Sequence, residues 1–481
     1  MSIEPVGIVA FLLGLVCLAA GPIFTVYALL VASLLQSAAA LVFTSLGGAS
    51  IQPAHLLLLF LLIVMSRYGW IMRGTLQAMR PSNPGFWLVV LLVYGVISAI
   101  FLPRLFEGVT YTFGNSREGN GSMVSPLPLM PTTGNITQAG YFVGDVLCFL
   151  VVAALATRER YATAIANGVL FCCCADLAFA ALDQVTALTG TTVLMAPIRN
   201  ASYRMLDDGY VMGIKRLVGT FPETSAYAFV TLGLFGFSFS LWLRHDRPRL
   251  SGTIALLLLT TLMLSTSSTA YAGSVLYLGL VYVAAAVRMG LGRATRNMSR
   301  FVLVAPVGAL VLVMLLQFSD AAWRSVLEVF DDFLFNKLSS ASGIERAAWN
   351  RQAIANAFDT YGLGAGLGSV KSSSFLTSSL GNVGVTGLLA FAGFFATMLV
   401  RAGSTREKPE IAILRHAAAS GCVALLVAAS ISGGSIDLGL LFCVLAGLAC
   451  ASSLPRGRFA EPRAVAGAPL GAPRLAASEG G

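Results

Sequence analysis

Apolar runs long enough to cross a bilayer recur along almost the whole chain. A helix advances about 1.5 Å per residue, so roughly 20 apolar residues cover the hydrocarbon. Runs of this kind lie at 6–20, 22–46, 52–66, 85–103, 139–156, 162–186, 223–243, 251–265, 270–287, 301–317, 381–400, 416–432 and 436–452. The pattern predicts an all-α, polytopic membrane protein with about 12–13 transmembrane helices. Gly21-Pro22 separates the first two runs, and the first is short for a full crossing, as a re-entrant or half-span segment would be.

The polar stretches between the runs are of two kinds. Arg67, Arg73 and Arg80 follow the third run, Arg158 and Arg160 the fifth, and Arg244, Arg247 and Arg249 the seventh. Arg288, Arg293, Arg296 and Arg300 follow the ninth, Arg401, Arg406, Lys408 and Arg415 the eleventh, and Arg456, Arg458 and Arg463 the last. Every second connection is therefore short and basic, as cytoplasmic loops are. The others face outward: 104–138, 191–222, the long 318–380, and two tight turns at 265–273 and 432–437. The integral domain spans 1–453, and the Ala-, Gly- and Pro-rich 454–481 reads as a disordered cytoplasmic tail. The N-terminus lacks the basic start of a cleaved signal peptide and reads as a retained membrane segment. No internal repeat is evident, which argues against an inverted-repeat transporter.

Composition agrees with this reading. Of 481 residues 57% are hydrophobic and 11% charged, against about 25% charged in a soluble domain. The formal charge of +9 sits in short clusters between apolar runs, with no basic arm or RNA-binding motif, so it reads as topogenic and not as a nucleic-acid surface. All eight cysteines fall inside apolar runs without zinc-site spacing. Cys172, Cys173 and Cys174 point in different directions on a helix and read as apolar filler, and no metal site is expected.

The outer loops carry the candidate chemistry. Loop 191–222 holds Arg199, Arg204, Asp207, Asp208, Lys215 and Arg216 and runs into Glu223 and Ser225 at a helix start. Arginine grips phosphate through paired donors at any working pH. Glu223 reads either as a helix cap or as a catalytic or acceptor-binding carboxylate beside Arg216. Loop 318–380 begins with the spacing of an amphipathic surface helix. A second helix follows, on which Arg346, Trp349 and Asn350 share a face, solvated or functional, with Arg351 further round. Gly362, Gly364, Gly366 and Gly368 then alternate with apolar residues, a run whose N–H groups are able to cradle an anion. Lys371, Ser372 and Ser373 follow it, and Asn382, Gly384 and Gly387 open the next membrane helix. Within the spans, Asp176 and Asp183 are rare carboxylates; a central one costs about 2.5–3.5 kcal/mol and usually faces a polar contact. His55, His245 and His416 lie away from the outer arginines, which argues against a His-based triad.

The order of these features resembles the O-antigen ligase and polysaccharide polymerase family, the Wzy-like integral membrane glycosyltransferases. The likeness rests on Arg-x-x-Gly-x-Phe at Arg216, Gly219 and Phe221 leading into Pro-Glu-Thr-Ser, on Arg-x-x-Trp at Arg346 and Trp349, and on the glycine run followed by Gly384 and Gly387. It covers about residues 210–440. The resemblance implies a GT-C-like helical fold with short helices in the long extracytoplasmic loop. It implies no cofactor or obligatory metal, and an undecaprenyl-diphosphate-linked oligosaccharide as donor. Arg216 and Arg346 would then hold the diphosphate as catalytic residues, with Arg351 and Lys371 supporting and Trp349, Ser372, Ser373 and Gly366 completing the substrate site. Ligases of the family carry His-Asn where this chain reads KSSSFL, with Ser372 or Ser373 in the histidine's place. That places it nearer the exopolysaccharide polymerases and makes Glu223 the candidate base. The expectation is an enzyme of a bacterial inner membrane, facing the periplasm, that joins lipid-linked repeat units, with a chain-length regulator or export proteins as possible partners. A ligase and a lipid-linked oligosaccharide flippase are the rival readings.

Overall fold

Among the described residues, six helices open on a proline in their first turn, where the ring fixes φ and the missing N–H would have had no partner. The computed structural model describes residues 2–43, 49–113, 126–201, 209–211, 214–317, 341–404 and 408–451. The helices among them are α1 (Pro5–Ala20), α2 (Pro22–Ala32), α3 (Pro53–Ser66), α4 (Gly69–Ala78), α5 (Pro84–Leu105), α6 (Thr133–Leu155), α7 (Glu159–Leu188) and α8 (Thr224–Leu243). They continue with α9 (Pro248–Leu264), α10 (Ser268–Gly290), α11 (Arg296–Gln317), α12 (Ala341–Asp359), α13 (Phe375–Gly403), α14 (Pro409–Ser432) and α15 (Gly439–Ala449). Strands are minor: β1 (Ser2–Ile3), β2 (Leu41–Phe43) and β3 (Ala49–Ile51) form an antiparallel sheet, and β4 (Tyr111–Thr112) with β5 (Leu127–Pro128) and β6 (Tyr210–Val211) with β7 (Ile214–Lys215) form two-stranded pairs. The chain is an all-α, multi-pass membrane protein.

Each predicted apolar run lands on a helix, but not every helix is a full crossing. Among the described residues α5, α6, α7, α8, α10, α13 and α14 are long and apolar enough to span. Helices α3 and α4 reach that standard only as a pair bent by 111°, and α1, α2, α9 and α15 are apolar but shorter. Gly21, at φ 87°, breaks α1 from α2, and α1 is 16 residues long, which at about 1.5 Å per residue falls somewhat short of the roughly 30 Å hydrocarbon core. The expected run 22–46 is corrected: α2 stops at Ala32, and 41–43 turns back to pair with both β1 and β3. Helix α13 begins six residues before the expected 381 and carries a non-helical Gly384 inside it. The amphipathic helix expected at the head of loop 318–380, Arg204, Asp207, Asp208 and the 454–481 tail lie outside the described residues.

The core is built by close helix approach. Gly233 on α8 faces Leu425 on α14, and one turn on Gly236 faces Ala424 and Gly421. Side chains small enough to let backbones approach drive such packing in a bilayer. The pairing runs in opposite directions along the two helices, so the start of α8 and the finish of α14 share one end of the bundle. Buried polar contacts add directional ties: Asp176 Oδ2 accepts from Thr231 Oγ1 at 2.9 Å, and Tyr277 donates its hydroxyl to Gly236 O at 3.1 Å. Cys172 and Cys173 turn to different neighbours, Leu30 O and Leu234 O.

The connections sort by end as the charge pattern predicts. At one end Arg67 Nη1 donates to Leu18 O, Arg158 lies over Trp70, Lys408 pairs with Glu159, and Arg401 bonds Asn83. The opposite end gathers the other connections. There Thr110 Oγ1 donates to Asp359 at 2.6 Å, Asn135 Nδ2 to Leu367 O at 2.8 Å, Thr220 Oγ1 to Leu34 O at 2.7 Å, and Ser374 Oγ to Ser430 O at 2.8 Å.

Candidate active site

Arg216 sits in a loop pinned from below by Asp183, in the last turns of α7. Asp183 is fully buried. Its Oδ1 pairs with Arg199 and with Lys215, each at 2.6 Å, and its Oδ2 accepts the backbone N–H groups of Val218 and Gly219 at 3.0 and 2.9 Å. Gly219 adopts φ 62°, the left-handed turn that glycine takes without strain. One carboxylate thus fixes both ends of the segment that carries Arg216.

The Arg216 guanidinium is half-buried and held by neutral oxygens. Its Nη2 donates to Thr224 Oγ1 at 2.7 Å and to Thr266 O at 3.0 Å, and its Nε to Thr266 Oγ1 at 3.2 Å. Thr266 belongs to the turn between α9 and α10, so three elements meet on this side chain. Burial lowers the Arg216 pKa from its usual value, and the nearby Glu223 and Tyr271 oppose that shift. Glu223 occupies the cap position of α8, but its carboxylate caps no backbone N–H. It accepts the Ser225 hydroxyl instead. The side-chain capping alternative raised for this residue is therefore corrected, and the carboxylate stays beside Arg216.

A second group forms around α12. Arg346, Trp349 and Asn350 are partly buried while Arg351 is exposed, as the helical spacing predicts. Lys371 Nζ lies 3.9 Å from the Trp349 ring centroid, a cation–π arrangement. Burial lowers the Lys371 pKa and Glu345 opposes it. Asn350 Oδ1 accepts from Ser372 Oγ at 2.8 Å, Ser373 N–H at 3.0 Å, Ser373 Oγ at 3.2 Å and Thr377 Oγ1 at 3.0 Å. The two serines that replace the expected histidine are thus bound to a structural amide, and neither is placed as a base.

The glycine run behaves differently from the expectation of an anion cradle. Gly364 N–H goes to Thr360 Oγ1, Ala365 N–H to Gly381 O, Gly366 N–H to Asn382 O, and Leu367 N–H to Ser98 Oγ, at 2.8 to 3.2 Å. Gly362, Gly364, Gly366 and Gly368 all have positive φ. A Cβ on Gly366 would meet Pro103 Cδ and Ser98 O at 2.7 Å. These glycines let the segment thread between α5, α6 and α13, and the amides of residues 364–367 are spent inside the fold.

The Arg216 group and the Trp349–Lys371 group flank the same end of α14, through α8 on one side and α13 on the other. No contact among the described residues joins Arg216 to Arg346. Thr224, Thr266 and the hub role of Asn350 were missed from sequence, because hydroxyls and amides in polar turns give no signal by type alone. Comparison with protein-family models and with curated proteins returns no match for this chain. The class defined by fold and site is a multi-pass helical membrane protein with a polar, arginine-bearing cluster at one end of its bundle.

Proposed function

We propose that the chain is a metal-independent glycosyltransferase that polymerises polyprenyl-diphosphate-linked oligosaccharide repeats into an exopolysaccharide or capsule. The observation that carries this reading is Arg216: a half-buried guanidinium oriented by Thr224 and Thr266, with Glu223 beside it. The positive-inside rule supports a cytoplasmic placement of the opposite end and so an outward-facing site, and the family resemblance makes the bacterial inner membrane the membrane proposed. An acceptor hydroxyl attacks the anomeric carbon and the bond to the lipid diphosphate breaks. The negative charge that develops on the diphosphate is stabilised by Arg216, with Arg346 and Lys371 on the other flank. Glu223 takes the hydroxyl proton. Donors already fixed by neighbouring side chains need little reorganisation during the step, which is where their advantage over water lies.

The test is turnover of a purified lipid-linked repeat beside its Arg216→Ala and Arg346→Ala variants. Polymer from the wild type, lost in both variants, is expected. Wild-type turnover in both removes the proposal. Transfer of finished glycan to a lipid or protein acceptor in the same assay would make it a ligase. Deletion that traps lipid-linked single repeats inside the cell would make it a flippase.

A further inference from the structure

Behind the Ser372–Ser378 wall lies a second polar cluster, separate from the arginines. Gln138, Tyr141 and Asp145 follow at three and four residues on α6 and so share a stripe. The stripe meets the first turn of α3 at His55 and the 433–438 turn at Ser435 and Asp437. His55 Nε2 lies 3.2 Å from Asp145 Oδ1, and the His55 ring sits edge-on to Tyr141 with centroids 4.5 Å apart. Ser435 Oγ reaches Gln138 Oε1 at 3.5 Å, and Asp437 Oδ1 accepts Gly439 N–H at 2.9 Å. The Ser435–Gln138 contact seats the 433–438 turn on this stripe, so that the Asp437 carboxyl faces Asp145.

The atoms around this pair say which protons are present. Asp145 is 1% exposed, and its Oδ2 is buried without a donor. Two carboxylates in contact cannot both stay ionised away from water. His55 does not supply a balancing charge, because its Nδ1 is buried without an acceptor. A doubly protonated ring would leave that donor orphaned, whereas a neutral ring with hydrogen on Nε2 satisfies the geometry. The other titratable groups facing the pair are Tyr141 and Cys148 on α6 and Cys443 on α15, none of them a cation.

We propose that Asp145 and Asp437 form a buried proton-binding site, in which one proton bridges the two carboxyl groups and locks the 433–438 turn onto α6. That turn supports the candidate site: Gly434 O accepts from Ser378 Oγ at 3.0 Å, and Gly434 packs against Ser372 O. Loss of the bridging proton leaves like charges in contact, drives the turn from α6, and withdraws support from the Ser372–Ser374 wall. Burial and the facing carboxylate hold the Asp437 pKa well above the ordinary carboxylate range. For a carboxyl raised in the folded state, stability is fully present at low pH and is lost as pH rises through the folded-state pKa.

Infrared spectra of the purified protein in detergent test this directly. A protonated-carboxyl band is expected in the wild type near neutral pH. It is lost in Asp437→Asn, whose amide N–H stands in for the proton. Thermal unfolding followed from about pH 5 to about pH 9 should show wild-type stability falling on the alkaline side, with that fall abolished in Asp437→Asn. Asp145→Asn reads the same effect from the other partner if the first variant fails to fold. A wild type with no such band, or variants that fold but keep the wild-type band or pH slope, would overturn the proposal. Should neither variant fold, a wild-type band that survives Asp176→Asn, a second buried carboxyl within a span, keeps the proposal, and its loss in that variant or absence in the wild type overturns it.

Discussion

Replacing Asp183 with asparagine keeps its shape and removes the carboxylate that, among the described residues, fixes the Arg216 loop. The side chain is 0% exposed, and its partners Arg199 and Lys215 are only 8% and 6% exposed at the side chain. Breaking a buried ion pair from one side costs about 3–5 kcal/mol, here because Lys215 stays buried after losing its counter-charge. The new amide also presents an N–H toward donors on one side: either the two cations or the Val218 and Gly219 amides lose an acceptor. Each such loss costs about 1–3 kcal/mol, partly overlapping the first term, so a total loss of about 4 kcal/mol is expected. That is a large share of the roughly 5–15 kcal/mol that separates most folded domains from their unfolded states. The assay is unfolding in detergent by heat or denaturant, run beside a triple variant, Asp183→Leu with Arg199→Met and Lys215→Met. Replacing a buried ionic group entirely by apolar residues is often neutral or better, so the triple variant should recover most of the loss. A single variant within about 1 kcal/mol of wild type, the range of exposed ion pairs, would refute the claim that this cluster anchors the loop.

Three further outcomes follow from the same geometry. Arg216→Ala should fold and lower turnover of the lipid-linked repeat by about a hundred-fold or more, the cost of removing one preorganised donor from a developing anion; Arg216→Lys should recover only part of it, measured in the same assay. Gly366→Ala should destabilise by about 2–3 kcal/mol in thermal unfolding, since φ is +100° and a Cβ meets Pro103 and Ser98; unchanged stability would mean the run is not a packing element. Asn350→Ala should cost about 1–3 kcal/mol and expose the 372–377 segment to protease, because three side chains lose one shared acceptor.

What was legible in the sequence was whatever the bilayer dictates. Helix positions followed from apolar length, and the sorting of loops to two ends followed from arginine spacing, because both respond to one-dimensional composition. Full crossing length was not legible: the run 22–46 is apolar throughout, yet α2 stops at Ala32 so that 41–43 can pair with β1 and β3. That choice depends on partners distant in sequence. Arg216 stood out because arginine grips phosphate through paired donors and because the Arg-x-x-Gly-x-Phe spacing carries the resemblance. Its actual holders, Thr224 and Thr266, stood 42 residues apart in ordinary polar turns. The pair of Asp145 and Asp437 was hidden for the same reason: one lies in an apolar helix, the other in a short Ser-Gly turn, and only the packing of α15 on α6 brings them together.

The misreading of the glycine run constrains the chemistry more than a correct guess would have done. A run of alternating glycines with positive φ suggests an anion nest, and such a nest would have offered backbone donors to a diphosphate. Here the amides of residues 364–367 are already bonded to Thr360, Gly381, Asn382 and Ser98, so they are not free to receive a ligand. The amides of residues 364–367 are therefore not available to a phosphate, and among the described residues of these two groups the cations that offer a side-chain grip are Arg216, Arg346, Arg351 and Lys371. Side-chain grip has a different signature from a backbone nest, because it is removed by charge-neutral substitution. Arg216→Met together with Lys371→Met should therefore abolish donor binding while leaving the fold intact, since neither side chain pairs with a carboxylate at salt-bridge distance among the described residues. If donor still binds the double variant at wild-type affinity, the anion is held by backbone or by Arg346 or Arg351, and the two-flank arrangement is wrong.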